Sequence, residues 1–198
     1  MENKIKFRIA VILGSVTENS NTRKAMNIAI DELNNHEEIE VDLIDPRELD
    51  LPLPGLKSSS NDPKKIQSIV EEATGIILAT PEYHGSYSSI LKLIIENLGY
   101  PSKLAGKPIA LLGVASGDIG AIKSIESLRG VCAHVGGIIL PGSASIPLVE
   151  LHFNQQGECI SPKIERRLRS ISKNLINFIR ENIYPKIALE EIVREKKS

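Results

Sequence analysis

The chain has 198 residues, and its 24 Lys and Arg against 25 Asp and Glu give a formal net charge of −1. Hydrophobic residues make up 41% and charged residues 25%, as in globular proteins, which argues against a disordered chain. Two cysteines are too few for a disulfide framework or an all-thiolate zinc site, so we expect no bound metal. No apolar run reaches the ~18–20 residues of a transmembrane helix, and the charged start favours a cytoplasmic protein without a signal peptide.

Five short apolar segments predict the strands of a parallel sheet. They are Phe7–Leu13, Ile39–Ile44, Gly75–Thr80, Pro108–Val114 and Gly136–Leu140. Four of them are nearly continuous runs of Ile, Val and Leu, the pattern of strands buried on both faces. The segment Ile39–Ile44 alternates instead, which predicts an edge strand with one wetter face.

Helical periodicity fills the intervals between these strands. The stretches with this spacing are Thr22–Leu33, Pro63–Ala73, Ser86–Leu98, Ala121–Val135 and Pro162–Glu181. Asp62 before Pro63 has the pattern of a helix cap followed by a first turn. Strands that alternate with helices predict an α/β fold, a three-layer sandwich around a five-stranded parallel sheet. We expect one domain over residues 1–185 and a charged tail over 186–198.

The residues directly after each strand carry the functional signal, because ligands of open parallel sheets bind at the carboxyl ends of the strands. After the first strand, small polar residues lead into a helix, and the candidates are Ser15, Thr17, Ser20, Asn21 and Thr22. Backbone N–H groups and the positive end of a helix dipole favour a phosphate there. Arg23 is a candidate for a charge-assisted contact, and an ordinary surface helix cap is the alternative.

Three well-known motifs are absent from the sequence, and their absence argues against three classes of nucleotide-binding or hydrolytic protein. The chain has no G-x-G-x-x-G, which disfavours a Rossmann dinucleotide site, and no G-x-x-x-x-G-K-[ST], which excludes a standard P-loop. It also lacks the G-x-S-x-G elbow of α/β-hydrolases.

Two further turns complete the predicted cleft. The turn after the third strand is predicted to be irregular. Its flat side chains and backbone groups are suited to contact a planar heterocycle, and the candidates are Pro81, Glu82, Tyr83, His84 and Gly85. Glu82 is alternatively an acceptor for backbone N–H groups, and His84 a loop imidazole rather than a general base. The one after the fourth strand lets a ligand approach the backbone closely at Ser116, Gly117 and Asp118. Together the three turns favour a mononucleotide site, with FMN as the natural ligand.

The same residues resemble the NADPH-dependent FMN reductase family, whose flavodoxin-like members include chromate, azo and quinone reductases. The family's phosphate turn, roughly G-S-x-R-x-x-S-x-x-R, is matched by Gly14, Ser15, Ser20 and Arg23. Its flavin-ring turn, P-E-Y-[NH]-G-S, is matched without a break by residues 81–86. The resemblance extends over residues 8–146.

The resemblance implies a flavodoxin-like sheet of strand order 2-1-3-4-5 and an enzyme that moves a hydride from NADPH or NADH to FMN. Electrons then pass to a small-molecule acceptor, for which quinones, azo dyes, metal ions and free flavin stay open. Residues 15, 17 and 20–22 would hold the phosphate, residues 81–85 would line the ring, and residues 116–118 would close its other edge. No catalytic side chain is implied. A homodimer or homotetramer is implied, with no nucleic-acid or membrane partner.

Two functions other than an FMN-dependent oxidoreductase stay open. A flavodoxin-like electron carrier would share the fold, but such carriers are strongly acidic and rely on aromatic residues, whereas this chain is 4% aromatic. A binding module is the second, because Ser161–Ser198 holds ten Lys and Arg against five Glu. We interpret that segment as a solvated helix face, since no aromatic platform or recognition motif accompanies its charge.

Overall fold

A computed structural model describes residues 6–57 and 59–185, so the predicted tail at 186–198 lies outside the described residues. The strands are β1 (Phe7–Leu13), β2 (Ile39–Ile44), β3 (Gly75–Tyr83), β4 (Ser86–Tyr87), β5 (Pro108–Val114), β6 (Ile138–Ile139) and β7 (Ala144–Ile146). The α-helices are α1 (Asn21–Asn34), α2 (Asp62–Glu72), α3 (Ser89–Glu96), α4 (Ile122–His134) and α5 (Pro162–Phe178).

The sheet is flavodoxin-like, with its main strands in the order β2-β1-β3-β5 followed by β6. These neighbours are all parallel, and the register places Ile12 of β1 beside Leu78 of β3. The alternating strand β2 lies at one end and is buried only at its first and last residues, so the predicted edge strand is confirmed. The predicted order of the parallel strands therefore agrees with the structure.

The predicted single strand over Gly136–Leu140 is wrong in its bounds. Ile138–Ile139 pairs with the start of β5, and Ala144–Ile146 pairs with its end. Pro141 and Gly142 lie between the two pairings, where proline lacks the N–H that a ladder needs and Gly142 has a φ of +82°. The last strand position is consequently filled by two short strands.

The predicted helix over Ser86–Leu98 begins too early. Ser86 and Tyr87 pair antiparallel with the end of β3, so the sheet contains an antiparallel pair that periodicity did not indicate. The helix begins after Ser88, whose side chain accepts the Leu91 N–H as an N-cap. A strong local hairpin has overridden the helical spacing of the first residues.

Two other helix boundaries also differ from prediction. Asn61, not Asp62, is the N-cap of α2, and the Asp62 carboxylate accepts the Asp50 N–H at 2.8 Å. The α5 helix ends at Phe178 and continues as a wider π-helical turn over Ile179–Ile183. Within the described chain, no helix has the length and apolarity needed to cross a membrane.

Apolar side chains cover both faces of the sheet, because alternate residues of each strand point to opposite sides. Ile9 and Val11 of β1 pack in one cluster with residues of α1 and α5. Ala10 and Ile12 pack in the other, with residues of α2, α3 and α4. This three-layer arrangement leaves the carboxyl ends of the strands, and the turns that follow them, at one open edge.

Candidate functional site

A cavity of about 530 Å³ opens at the carboxyl edge of the sheet, within the ~300–1,000 Å³ usual for small-molecule sites. It brings together nine of the predicted site residues, namely Ser15, Thr17, Ser20, Asn21, Thr22, Pro81, Glu82, Tyr83 and Ser116. The predicted residues outside its lining are His84, Gly85, Gly117 and Asp118.

The turn after β1 presents unpaired backbone donors to this cavity. Gly14 packs so closely on β3 that a Cβ there would lie 2.7 Å from the Ala79 carbonyl oxygen. Ser20 then caps α1, its Oγ accepting the Arg23 N–H at 3.2 Å. Among the described residues, the N–H groups of Asn21 and Thr22 have no acceptor. A helix N-terminus with free donors is suited to an anion such as a phosphate group.

The structure gives Arg23 a different role from the predicted phosphate contact. Its guanidinium pairs with the carboxylate of Asp45, whose side chain is only 3% exposed and which also accepts from Arg47 at 2.9 Å. Burial raises the pKa of Asp45, but hydrogen bonds from Arg47 and Arg23 outweigh burial and hold that pKa below its ordinary value. Among the described residues of the lining, the cationic side chain is instead that of Lys24.

The second turn is a regular two-residue hairpin rather than the irregular turn expected. Tyr83 pairs with Ser86, and the intervening His84 and Gly85 both have positive φ, of 51° and 73°, as a type I′ turn requires. The pairing continues β3 to Tyr83, beyond its predicted end. His84 therefore lies at the hairpin tip, away from the cavity lining.

Glu82 joins this hairpin to the neighbouring helix. Its Oε2 accepts the Ser124 N–H at 3.0 Å in the first turn of α4, where Ala121 supplies no side-chain cap. A carboxylate at a helix N-terminus is favoured by the helix dipole. Glu82 is thus an acceptor for a backbone donor, the alternative that the sequence left open.

Ser88 connects the first two turns, a role that sequence reasoning missed. Its Oγ donates to the Gly14 carbonyl at 2.6 Å and accepts the Leu91 N–H at 3.3 Å. Its own N–H donates to the Thr80 hydroxyl at 3.0 Å. A serine just before an apolar helical run is an N-cap signal that would have located it.

The third turn is bound to the chain that follows β7. The Gly117 carbonyl accepts the N–H groups of Leu148 at 3.1 Å and Gly120 at 3.2 Å. The Ser116 hydroxyl lines the cavity and donates to the carboxylate of Glu150.

The remaining lining was not predicted. It consists of Glu18, Asn19, Lys24, Val114, Ala115, Val149, Glu150, Phe153, Asn154 and Gln155. The last five belong to the segment after β7, in which the Val149 N–H donates to the Ala115 carbonyl and Phe153 forms an antiparallel bridge with Cys159. No motif marks this segment, because only the folded chain brings it to the cavity.

A parallel α/β sheet with a helix N-terminus facing a slot between its central strand ends defines a flavodoxin-like, nucleotide-binding protein. A family model described as NADPH-dependent FMN reductase matches residues 7–150. The chain belongs to this family.

Two relatives agree with this assignment, and a solved structure agrees with the fold. An NADPH azoreductase of Bacillus sp. (strain OY1-2) is 30% identical over 161 residues, covering 80% of this chain and 86% of that protein. The FMN-dependent NADPH-azoreductase of Staphylococcus aureus is 26% identical, covering 88% and 96%. The fold is similar to the flavoenzyme NAD(P)H:(acceptor) oxidoreductase FerB of Paracoccus denitrificans, with a TM-score of 0.75, 21% identity and coverage of 88% and 98%.

The protein is therefore an NAD(P)H-dependent FMN oxidoreductase, with FMN as its cofactor and NAD(P)H as its electron donor. The free N–H groups at the start of α1 suit the FMN phosphate. Within residues 6–57 and 59–185, no group of three or more His, Cys, Asp or Glu is placed to hold a metal ion.

Proposed function

We propose that this enzyme reduces azo compounds and quinones at the cavity at the carboxyl edge of the sheet. One cavity contains both the free N–H groups at the N-terminus of α1 and a slot between the turns that follow β3 and β5. This observation carries the proposal. The names of the two azoreductase relatives support an azo acceptor.

The two ends of the cavity suit the two ends of FMN. The N–H groups of Asn21 and Thr22 would hold the phosphate, together with the hydroxyls of Ser15, Thr17 and Ser20 and the Lys24 ammonium. The ring would lie along Pro81, Glu82, Tyr83 and Ser116. We propose that His84, Gly85, Gly117 and Asp118 shape the two turns that carry this surface.

The protein positions the reactants, while bound FMN supplies the chemistry by taking up electrons from NAD(P)H and delivering them to the acceptor. Cleavage of an azo bond to two amines requires four electrons and four protons. Two NAD(P)H supply the electrons as two hydrides, and solvent supplies the other two protons. We propose no side chain as a proton donor.

The test begins with purified protein titrated with FMN, followed by its visible spectrum and flavin fluorescence. NADPH and NADH are then added separately, with an azo dye and with a quinone. We expect saturable FMN binding and two NAD(P)H consumed for each azo bond cleaved. A protein that binds no FMN and oxidises neither nucleotide would contradict the proposal. Electron exchange with a low-potential partner, without NAD(P)H oxidation, would identify a flavodoxin-like carrier instead.

We also propose that the enzyme is a homodimer or homotetramer. A groove of about 850 Å³ between α3 and α4 is lined by Ile95, Val131 and Val135, and the fully exposed ring of Tyr100 lies at its edge. Exposed aromatic rings beside apolar grooves are typical of protein interfaces. Light scattering should give a mass of at least twice 21.7 kDa, and a monomer at micromolar concentration would contradict this proposal.

The predicted absence of a nucleic-acid partner is supported by how the basic helix is paired. Arg169 of α5 forms ion pairs with Asp31 and Glu165, and Lys173 lies 3.5 Å from a Glu32 carboxylate oxygen. Carboxylates of the same protein thus neutralise part of the basic face. We propose a cytoplasmic enzyme that acts on small molecules, and strong salt-dependent DNA binding would contradict this.

A further inference from the structure

The charges around the cavity are unevenly distributed. Three carboxylates line it, those of Glu18, Glu82 and Glu150, whereas Lys24 is the one Lys or Arg among its described lining residues. Lys24 belongs to the first turns of α1, so it adds positive charge to the end where the helix dipole is already positive.

The three carboxylates differ in what balances their charge. Glu18 interacts favourably with the Arg47 guanidinium, and Glu82 accepts a backbone N–H at the positive N-terminus of α4. Glu150 accepts a hydrogen bond from the neutral Ser116 hydroxyl, and no Lys, Arg or His of the described chain forms an ion pair with it. Among the described residues, the bond that Glu150 makes therefore comes from a neutral hydroxyl, away from the N-termini of the five α-helices.

The backbone holds Glu150 beside the ring end of the cavity. The Val149 N–H donates to the Ala115 carbonyl at 3.0 Å, which attaches the segment to the end of β5. Val114, the last residue of β5, is paired with Pro81 of the ring turn. Glu150 and Lys24 are thus fixed on different elements, one after β5 and β7 and the other after β1.

We propose that Glu150 makes the enzyme select its acceptor by charge, favouring neutral and cationic quinones and azo compounds over sulfonated or carboxylated analogues. This inference rests on the proposed function. A fixed carboxylate beside the place where the acceptor binds repels an anionic substituent, and such repulsion is an effective source of specificity. Reduction of a quinone takes one hydride from NAD(P)H and one proton from solvent, so Glu150 acts on binding and gives up no proton.

The experiment compares wild-type enzyme with Glu150→Gln, which keeps the side-chain shape and an acceptor for Ser116 but removes the charge. Glu150→Asp retains the charge, and Glu126→Gln removes an exposed charge of α4 outside the cavity lining. Each FMN-loaded enzyme is assayed with a naphthoquinone and with its ring-sulfonated analogue. Comparing variants on the same acceptor cancels the intrinsic reactivity of that acceptor.

For the sulfonated quinone, we expect Glu150→Gln to raise kcat/KM by about three- to tenfold at low salt. This is the effect of removing one repulsion between two unit charges in a solvated cleft. The gain should vanish at high salt, since Glu150 is exposed to solvent. At saturating NAD(P)H, the kcat/KM for the neutral quinone should change much less in Glu150→Gln than the kcat/KM for the sulfonated quinone. Calorimetry of the oxidised protein without NAD(P)H should show the same tightening of sulfonate binding.

An unchanged ratio of sulfonated to neutral kcat/KM in Glu150→Gln would overturn the inference, provided that the variant binds FMN and oxidises NAD(P)H as wild type does. An equal gain in Glu126→Gln or Glu150→Asp would also overturn it, because the effect would not then come from the charge at this position. If wild type neither binds FMN nor oxidises NAD(P)H, the proposed function fails and this inference with it.

Discussion

Replacing Ser88 with alanine removes the hydroxyl that joins the first two turns of the cavity. That hydroxyl caps α3 through the Leu91 N–H and donates to the Gly14 carbonyl. Ser88 is 3% exposed, so water does not readily replace either bond. The N–H of residue 88 and its bond to Thr80 remain in the variant.

The expected loss follows from these two contacts. Removing an N-cap costs about 1 kcal/mol, and a buried carbonyl left without its donor costs about 1–3 kcal/mol. We expect Ser88→Ala to lower the free energy of unfolding by about 2–4 kcal/mol, and Tm by about 5–15 °C for a domain of this size. FMN binding should weaken as well, because Gly14 is the first residue of the phosphate turn.

Urea unfolding followed by circular dichroism measures this change on protein free of FMN. Ser170→Ala is the matched control, because the Ser170 hydroxyl donates to the Arg167 carbonyl on an exposed helix face. The control should stay within about 0.5 kcal/mol of wild type. If Ser88→Ala is as stable as the control, the buried connection between the turns does not have the strength argued from the structure.

Three further predictions concern charged and titratable groups. Lys24→Gln should weaken FMN binding about tenfold at low salt and reduce its salt dependence, as measured by flavin fluorescence, whereas Lys163→Gln on exposed α5 should not. The pKa of Asp45 is lower in the folded protein than in the unfolded chain. Its ion pairs therefore stabilise the folded protein fully at pH values above the unfolded-state pKa, and this stabilisation is lost as the pH falls through the folded-state pKa. Asp45→Asn should consequently be less stable than wild type in urea at neutral pH, and the gap should narrow below about pH 4; a pH-independent gap would contradict this. Burial raises the pKa of the Cys132 thiol to about 12, so iodoacetamide should leave Cys132 unmodified in native protein at pH ~8 and alkylate it in denaturant, as read by mass spectrometry.

Much of the local structure was predictable because its determinants are close together in the chain. Phe7–Leu13, Ile39–Ile44 and Pro108–Val114 have the bounds expected from their apolar runs. The prediction failed where a nearby pairing competed with periodicity. Tyr87 was expected in a helix, but the positive φ of His84 and Gly85 turns the chain into a hairpin first.

The candidate site was predicted in part for the same reason. Nine of the residues expected from the strand-end turns do line one cavity, because parallel strands all end at the same edge. The far wall at Glu150 and Phe153 was missed, since its position depends on hydrogen bonds to a turn more than 30 residues earlier in the chain.

The sequence by itself determined the parallel α/β fold and the family, because buried strands need continuous apolar runs and each ligand-facing turn is a short local motif. Only the tertiary structure decided which charges face the cavity. Arg23 belongs to the phosphate-turn motif, yet its pairing with Asp45, 22 residues later, takes it away from the cavity and leaves Lys24 in the lining. The partner of an ionic side chain depends on which distant groups the fold brings within a few ångströms, and a local pattern does not contain that information.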